Sequence, residues 1–414
     1  MTPLLARGVN AGRLLDALDR LATIGATSSG GVTRLAFTDA DLAARREVMA
    51  MMQAAGLMVT VDAAGNLLGL PPGAGHRPVL LMGSHLDSVP DGGRFDGTYG
   101  VLAAIEVVRA LGEQGTRLSR PVGVVAFADE EGTCFPRGLW GSRAVVGDVS
   151  PEELAILSSA DRRSRFELAG GRPHRLDEAR WSPGAVAAYL ELHVEQGPVL
   201  ESVGAAVGVV DGITGRLNLD IVVEGQAGHA GTLPMRSRRD ALVAGAEMVL
   251  AVRSLGHEVV GSATVGDLDV RDASRNVVPG SVRLVAELRD LSVTGLRNGA
   301  AALQHQADRI ATTHGVGIEV HQVGISPPAR CHLLVREVVA EAAERLHLPS
   351  VSLHSAAGHD AQVVARLAPS GMIFVPSAGG VSHAPEEYTD PDALVAGAET
   401  LLHAVSACDR RLVG

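Results

Sequence analysis

The chain is poor in aromatic residues, 3% of its 414 positions, and holds only three cysteines. With so few rings, Ala, Val and Leu must do most of the packing. Cys134, Cys331 and Cys408 show no C-x-x-C spacing, which argues against a disulfide framework and against a thiolate metal site. No apolar run approaches a membrane span, and the opening residues lack the apolar stretch of a secretion signal. Basic residues are too few as well: 36 Lys and Arg face 47 Asp and Glu, a formal net charge of -11. That balance disfavours nucleic-acid and anionic-membrane partners, which need a basic surface. The expectation is an acidic, soluble, cytoplasmic protein.

What is present points to two domains, or to one domain with a sizeable insertion. Leu14, Leu15, Leu18 and Leu21 recur at near-helical spacing, and a second helix is expected after Thr38, with Met49, Met51 and Met52 as core filler. From Val79 onward, apolar strands alternate with helices, as in 79–82, 101–108 and 121–127. Near-continuous apolar strands separated by helices imply an α/β fold: a mostly parallel sheet covered on both faces. Between about Gly208 and Pro327 the texture changes to alternating strands, 217–223 and 282–288, with helices around 240–251 and 294–313. The parse is a discontinuous catalytic domain, 1–208 and 328–414, with an inserted α+β domain, 209–327, built on an antiparallel sheet.

The most informative stretch runs from Gly83 to Gly97. His85 and Asp87 follow an apolar strand two residues apart, so both project from one face if pairing persists that far. Asp96 arrives from a glycine-rich loop able to bend back over the strand end. Alone, an H-x-D is more often a polar strand cap, but three ionisable groups at one strand end favour a metal site. Glu130 and Glu131 end the next apolar strand and must diverge, so that one carboxylate can bind a metal while the other faces substrate. His193 lies in 190–198, an apolar strand that ends where Gly197-Pro198 stops it, and His383 lies in a Gly-rich loop after 371–376. His359-Asp360 forms a similar loop with less constrained roles. In open parallel sheets such chemistry gathers at the carboxyl ends of the strands. Nitrogen and oxygen donors without thiolates suit Zn, Mn, Co or Ni. There are more donors here than one tetrahedral ion needs, whereas two ions sharing one carboxylate use them economically. A remaining free carboxylate could act as general base and then acid.

These clusters and their order resemble the hydantoinase/carbamoylase branch of the dinuclear-metal aminoacylase and carboxypeptidase superfamily, from about Gly30-Gly31-Val32-Thr33-Arg34-Leu35 to His383. That branch includes N-carbamoyl-L-amino-acid hydrolases, β-ureidopropionase and allantoate amidohydrolase. The resemblance implies two divalent ions, zinc first, with manganese, cobalt or nickel as alternatives. It implies that His85, Asp96, Glu131, His193 and His383 hold them, with Asp96 bridging. Glu130 becomes the general acid/base and Asp87 the residue that orients His85. Peptidase relatives usually carry a carboxylate at the His193 position, so the histidine favours a ureido or amide substrate. The inserted domain resembles a dimerisation and lid domain. There His229 matches an oxyanion-stabilising histidine, and Asn276 and Arg289 match residues that grip a substrate carboxylate, as a guanidinium can with two parallel hydrogen bonds. Read without the resemblance, Arg289 is a surface arginine paired with Asp290. Gln196 matches a further substrate contact. One departure stands out: relatives commonly continue Gly-Ser-Arg-Phe after the acidic pair, whereas this chain has Gly132-Thr133-Cys134-Phe135. The implied activity is hydrolysis of N-carbamoyl-L-amino acids, with allantoate or another ureide next and N-acyl amino acids or dipeptides last, by a homodimer.

Overall fold

The computed structural model describes residues 8–271 and 273–413. Residues 1–7, on which part of the expectation about a secretion signal falls, lie outside the described residues. In chain order the strands are β1 (Met58–Val61), β2 (Leu67–Leu70), β3 (Val79–His85), β4 (Val122–Phe127), β5 (Val186–Val194), β6 (Val207–Ile213) and β7 (Gly215–Glu224). They continue with β8 (Gly228–His229), β9 (Ser262–Arg271), β10 (Val277–Val278), β11 (Ser281–Asp290), β12 (Gly317–Ser326), β13 (Ala329–Arg330), β14 (Ser350–Ser355) and β15 (Ser370–Val375). They fall into two compact units. One gathers the described residues up to Gly212 and from Arg330, and the other spans Ile213–Ala329.

The first unit is built on a sheet ordered β1-β2-β4-β3-β5-β15-β6-β13, with β14 beside β6. Its centre, β4-β3-β5-β15, is parallel. The pairs at its margins, β1 with β2, β2 with β4, and β6 with β15, are antiparallel. The α/β expectation therefore holds for the apolar runs that prompted it. The physical reason is visible in β3, which is buried at every position. The helices Thr98–Glu113 and Pro391–Val413 pack on each other and on β3, β5 and β15, while the short helices Trp140–Val145 and Asp360–Val364 pack together against β4, β5 and β15. A strand covered from both sides has no reason to alternate. Leu14, Leu18 and Leu21 are buried along the helix Ala11–Ala22, as their spacing requires. Parallel pairing also brings the carboxyl ends of β3, β4, β5 and β15 to one edge, with His85 opposite Phe127 and His193 opposite Phe374.

The second unit is an antiparallel sheet ordered β12-β7-β11-β9. Leu217, Leu219, Ile221 and Val223 on β7, with Val282, Leu284, Ala286 and Leu288 on β11, form its buried face. That face packs on the helices Ala241–Glu258 and Val293–His314. Both helices run further than the sequence pattern indicated; Asp240 caps the first by accepting from the backbone of Leu242 and Val243. A two-residue ladder sets Val277 of β10 opposite His229 of β8. Among the described residues, no helix is long and apolar enough to cross a membrane.

Candidate active site

Strand pairing stops at His85, so Asp87 does not project from the strand face as the two-residue spacing assumed. The chain turns there, and Asp87 acts through two groups. Its carbonyl oxygen lies 3.0 Å from Nδ1 of His85. Its carboxylate accepts the backbone N–H of Glu130 at 3.2 Å and of Glu131 at 3.1 Å. Asp87 thus holds the acidic pair as firmly as it holds the histidine. His193 repeats the pattern, with Nδ1 2.8 Å from the Val194 carbonyl. A carbonyl oxygen only accepts, so each ring carries a proton on Nδ1, and in its neutral form turns the Nε2 lone pair inward.

Those lone pairs converge on Asp96. Its Oδ1 lies 3.1 Å from His193 Nε2 and 3.6 Å from His85 Nε2. Its Oδ2 lies 3.2 Å from His383 Nε2, which is 3.4 Å from Glu131 Oε1. The donors form two groups, His85 with Asp96 and His193, and Asp96 with Glu131 and His383; within each, the donor atoms lie within 4.8 Å of one another. Asp96 belongs to both. Glu131 Oε1 is buried without a hydrogen-bond partner, an orphan oxygen that a cation would satisfy. With nitrogen and oxygen donors throughout, the residues present fit a pair of divalent ions. Glu130 diverges from its neighbour as adjacency requires. Its Oε2 is 3.7 Å from His85 Nε2, and it belongs to neither group.

Burial and crowding set the charges. Burial, opposed by His85 and reinforced by Glu131, holds the Glu130 carboxyl well above the ordinary range. Burial likewise pushes Glu131 up to about 7, with Asp96 adding to it and His85 opposing. Burial would raise Asp96 too, but the protonated rings of His193, His383 and His85, which donate from Nε2, overcome it and keep that carboxyl well below its usual value. The bond to Asp96 raises His383 to about 9. Protons and metal ions compete for these same lone pairs.

The scaffold behind the donors is specific. Gly97 sits at φ 61°, and a Cβ there would fall on the His85 ring. Arg34, buried in the 30–35 segment, donates to the carbonyls of Leu21 (2.6 Å) and Leu86 (3.0 Å), so the residue after His85 is tied to the first helix. Asp129, at φ 52°, accepts from the backbone of Cys134 (3.0 Å) and Phe135 (2.6 Å) and so folds the loop after the acidic pair. Cys134 packs against the Phe135–Trp140 stack, and burial pushes its thiol up to about 12, so it is filler rather than a nucleophile. Gln196 donates its side-chain amide to Asp96 Oδ2 at 2.9 Å, touching the shared carboxylate itself.

Two buried groups, Glu191 and Glu387, escaped the sequence reading as parts of the site, and a third, His359, was noted there without a definite role. Glu191, on β5, accepts from the Ser84 hydroxyl (2.7 Å) and the Ala361 backbone (2.8 Å). His359 stands edge-on to His193, ring centroids 4.6 Å apart, and burial reinforced by His193 pushes its pKa well below normal and keeps it neutral. Glu387 holds the backbone of Phe95 and Asp96. The only signal for Glu191 was a charged residue inside an apolar strand, and for Glu387 a second acidic pair just past His383.

In the second unit, His229 is exposed, and its Nδ1 accepts from the backbone of Gly231 (3.0 Å) and Thr232 (3.2 Å). The neutral ring therefore carries its proton on Nε2 and presents a donor. Asn276 is its neighbour, its carbonyl accepting from Ala230 at 2.8 Å. Arg289 is elsewhere, near the end of β11 opposite Arg216, and it pairs with Glu287 at 2.6 Å. Asp290 accepts from the backbone of Ser292 and Gly261.

A mainly parallel sheet with a carboxylate-and-histidine cage at its carboxyl edge, interrupted by an antiparallel unit, defines a hydrolase class. The model of peptidase family M20/M25/M40 matches residues 81–407, and the chain belongs to that family. It is 41% identical to the N-carbamoyl-L-amino acid amidohydrolase of Geobacillus stearothermophilus, over 95% of this chain and 97% of that one. It is 34% identical to the allantoate amidohydrolase of Escherichia coli K12, over 93% and 95%. The crystal structure of a hydantoinase/carbamoylase-family amidase from Burkholderia multivorans superposes with a TM-score of 0.88 at 37% identity, covering 98% of this chain and 99% of that one. Within its family the chain is thus an amidohydrolase, acting on carbon–nitrogen bonds other than peptide bonds.

Proposed function

We propose that the chain hydrolyses the carbamoyl C–N bond of N-carbamoyl-L-amino acids, or of a close ureido acid. One molecule of substrate and one of water give the amino acid, ammonia and carbon dioxide. The observation that carries this reading is the buried Glu130 carboxyl beside two donor groups joined at Asp96. His85, Asp96 and His193 would hold one ion, and Asp96, Glu131 and His383 the other, with zinc favoured and manganese, cobalt or nickel as alternatives. Divalent ions at such a site supply Lewis-acid polarisation of the ureido carbonyl and make water more acidic. Glu130 takes the proton of the attacking water and returns it to the departing nitrogen, a role suited to a carboxyl whose pKa burial holds well above its ordinary range. Asp87 fixes the backbone from which Glu130 and Glu131 diverge. Gln196, Asn276 and Arg289 grip the substrate, and His229 donates its Nε2 proton to the developing oxyanion.

The similarity to the Geobacillus amidohydrolase supports the carbamoyl substrate; the similarity to the Escherichia allantoate enzyme makes allantoate the second reading. Ammonia release from N-carbamoyl-L-amino acids and from allantoate, measured side by side, separates them. We expect turnover of the carbamoyl acids, lost on chelation and restored by zinc or manganese. Brisk allantoate hydrolysis with none of a carbamoyl acid would sink the first choice.

A homodimer is part of the proposal, and the geometry of the second unit supports it. Arg289 lies eight residues along β11 from Ser281, about 27 Å at the usual strand rise, while His229 and Asn276 lie beyond the Ser281 end. One amino-acid-sized substrate cannot touch both ends of one chain, which favours a second copy supplying one set. The edge strands β9 and β12 and the exposed Leu250 and Leu268 offer a surface for such pairing. Co-expressing His229→Ala and Arg289→Ala chains, each inactive alone, should restore about a quarter of wild-type activity, because about half the dimers are mixed and half the sites in each mixed dimer are intact. No recovery in a verified heterodimer removes the shared site. The acidic balance and the unpaired Cys134, Cys331 and Cys408 support a cytoplasmic setting.

A further inference from the structure

Glu387 lies four residues after His383, yet the two differ sharply in burial. Glu387 is buried, whereas the His383 side chain is 49% exposed on a backbone at φ 54°. The Glu387 oxygens bond in two directions. Oε1 accepts the N–H of Phe95 at 2.9 Å and of Asp96 at 3.1 Å, while Oε2 accepts the Ser382 hydroxyl at 3.0 Å. One carboxylate therefore joins two segments 291 residues apart in sequence. The first ends in Asp96, the donor common to both groups, and the second carries His383. The approach leaves no room for a side chain at Gly93, where a Cβ would fall on the Glu387 carboxyl carbon. The loop is anchored beyond it as well, because the Thr389 hydroxyl donates to the Pro376 carbonyl at 2.9 Å.

We infer that Glu387 is a positioning residue whose carboxylate clamps the Asp96 segment to the Ser382–His383 segment and so sets the geometry of the Asp96, Glu131 and His383 group. The inference rests on reading those donors as a metal site. The two groups are built differently, which makes the effect selective. His85 and His193 are buried rings, each braced by its own carbonyl. His383 is half in solvent and takes its position from its loop. Loss of the clamp therefore loosens the His383 site most, because the other keeps two rings braced independently of it. The three bonds do not require a charge. A glutamine offers a carbonyl oxygen to the two amides and an N–H to the serine oxygen.

The test is zinc titration of the metal-free full-length protein against a chromogenic chelator. Wild type is expected to bind two ions. Glu387→Ala should bind the first with wild-type affinity and the second 10- to 100-fold more weakly, the usual cost of removing an outer partner of a metal ligand. Glu387→Gln should recover both to within a few-fold. Gly93→Ala, which evicts the carboxylate, should reproduce the alanine variant, and the double variant should be no worse than either, because both remove one interaction. Two tight ions in Glu387→Ala, or an equal loss at both sites, overturns the clamp. If Glu387→Ala does not fold, two tight ions in Gly93→Ala overturn it equally. A wild type that takes up fewer than two ions overturns the two-ion reading itself, and the clamp with it.

Discussion

Replacing Asp96 with alanine is expected to abolish hydrolysis and to strip the protein of tightly held metal. Asp96 is the one residue common to both donor groups, offering Oδ1 to His85 and His193 and Oδ2 to His383. Without it, each group keeps two protein donors, whereas catalytic metal sites of this kind are held by three. Affinity should fall by more than about 100-fold at both positions, beyond the usual effect of removing an outer partner. Metal analysis after gel filtration and a chelator titration would read this directly. Two ions still bound tightly by Asp96→Ala would end the reading of Asp96 as a bridge. The fold should survive, because the buried cluster beneath the site, including Leu80, Met82, Leu190 and Ile373, does not depend on that side chain.

Glu130→Gln is expected to separate chemistry from binding. Glutamine keeps the size and one acceptor oxygen of glutamate but cannot take up a proton. Since Glu130 lies outside both donor groups, the ions should remain bound. A positioned general base typically contributes 10²- to 10⁴-fold, so kcat should drop by about 10³-fold, about 4 kcal/mol of barrier. Metal content, melting temperature and KM should change little. A loss below tenfold would remove Glu130 from proton transfer, and a loss of metal would show instead that it is a ligand. The Asp87 carboxylate, which accepts from the backbone of both Glu130 and Glu131, is the reason the two side chains can diverge without the loop collapsing.

Much of this site was legible in one dimension because its parts lie at the ends of apolar runs. His85 ends β3, His193 lies next to last in β5, and Glu130 and Glu131 follow β4. In a parallel sheet, the end of each such run is a place where ligands collect. Asp96 was legible because Gly92, Gly93 and Gly97 surround it, and two of those glycines prove to be steric necessities, Gly93 against Glu387 and Gly97 against His85. For Asp87 the same-face placement was conditional, and the condition is not met. The two-residue spacing presumes a strand that continues, and pairing ends at His85. Arg289 pairs with Glu287, two residues away on the same face of β11, while Asp290 accepts from the backbone of the next loop.

By itself the sequence determined the α/β class, the alternating texture of the second unit and the set of residues able to bind metal. Those properties follow from local periodicity and from side-chain chemistry, which are written residue by residue. Tertiary structure alone decided which donors group together, that Asp96 belongs to both groups, and that Glu387, Glu191 and His359 stand behind them. Such relations join residues up to 292 positions apart. They arise from sheet order and loop packing, and no local pattern records how a chain closes on itself.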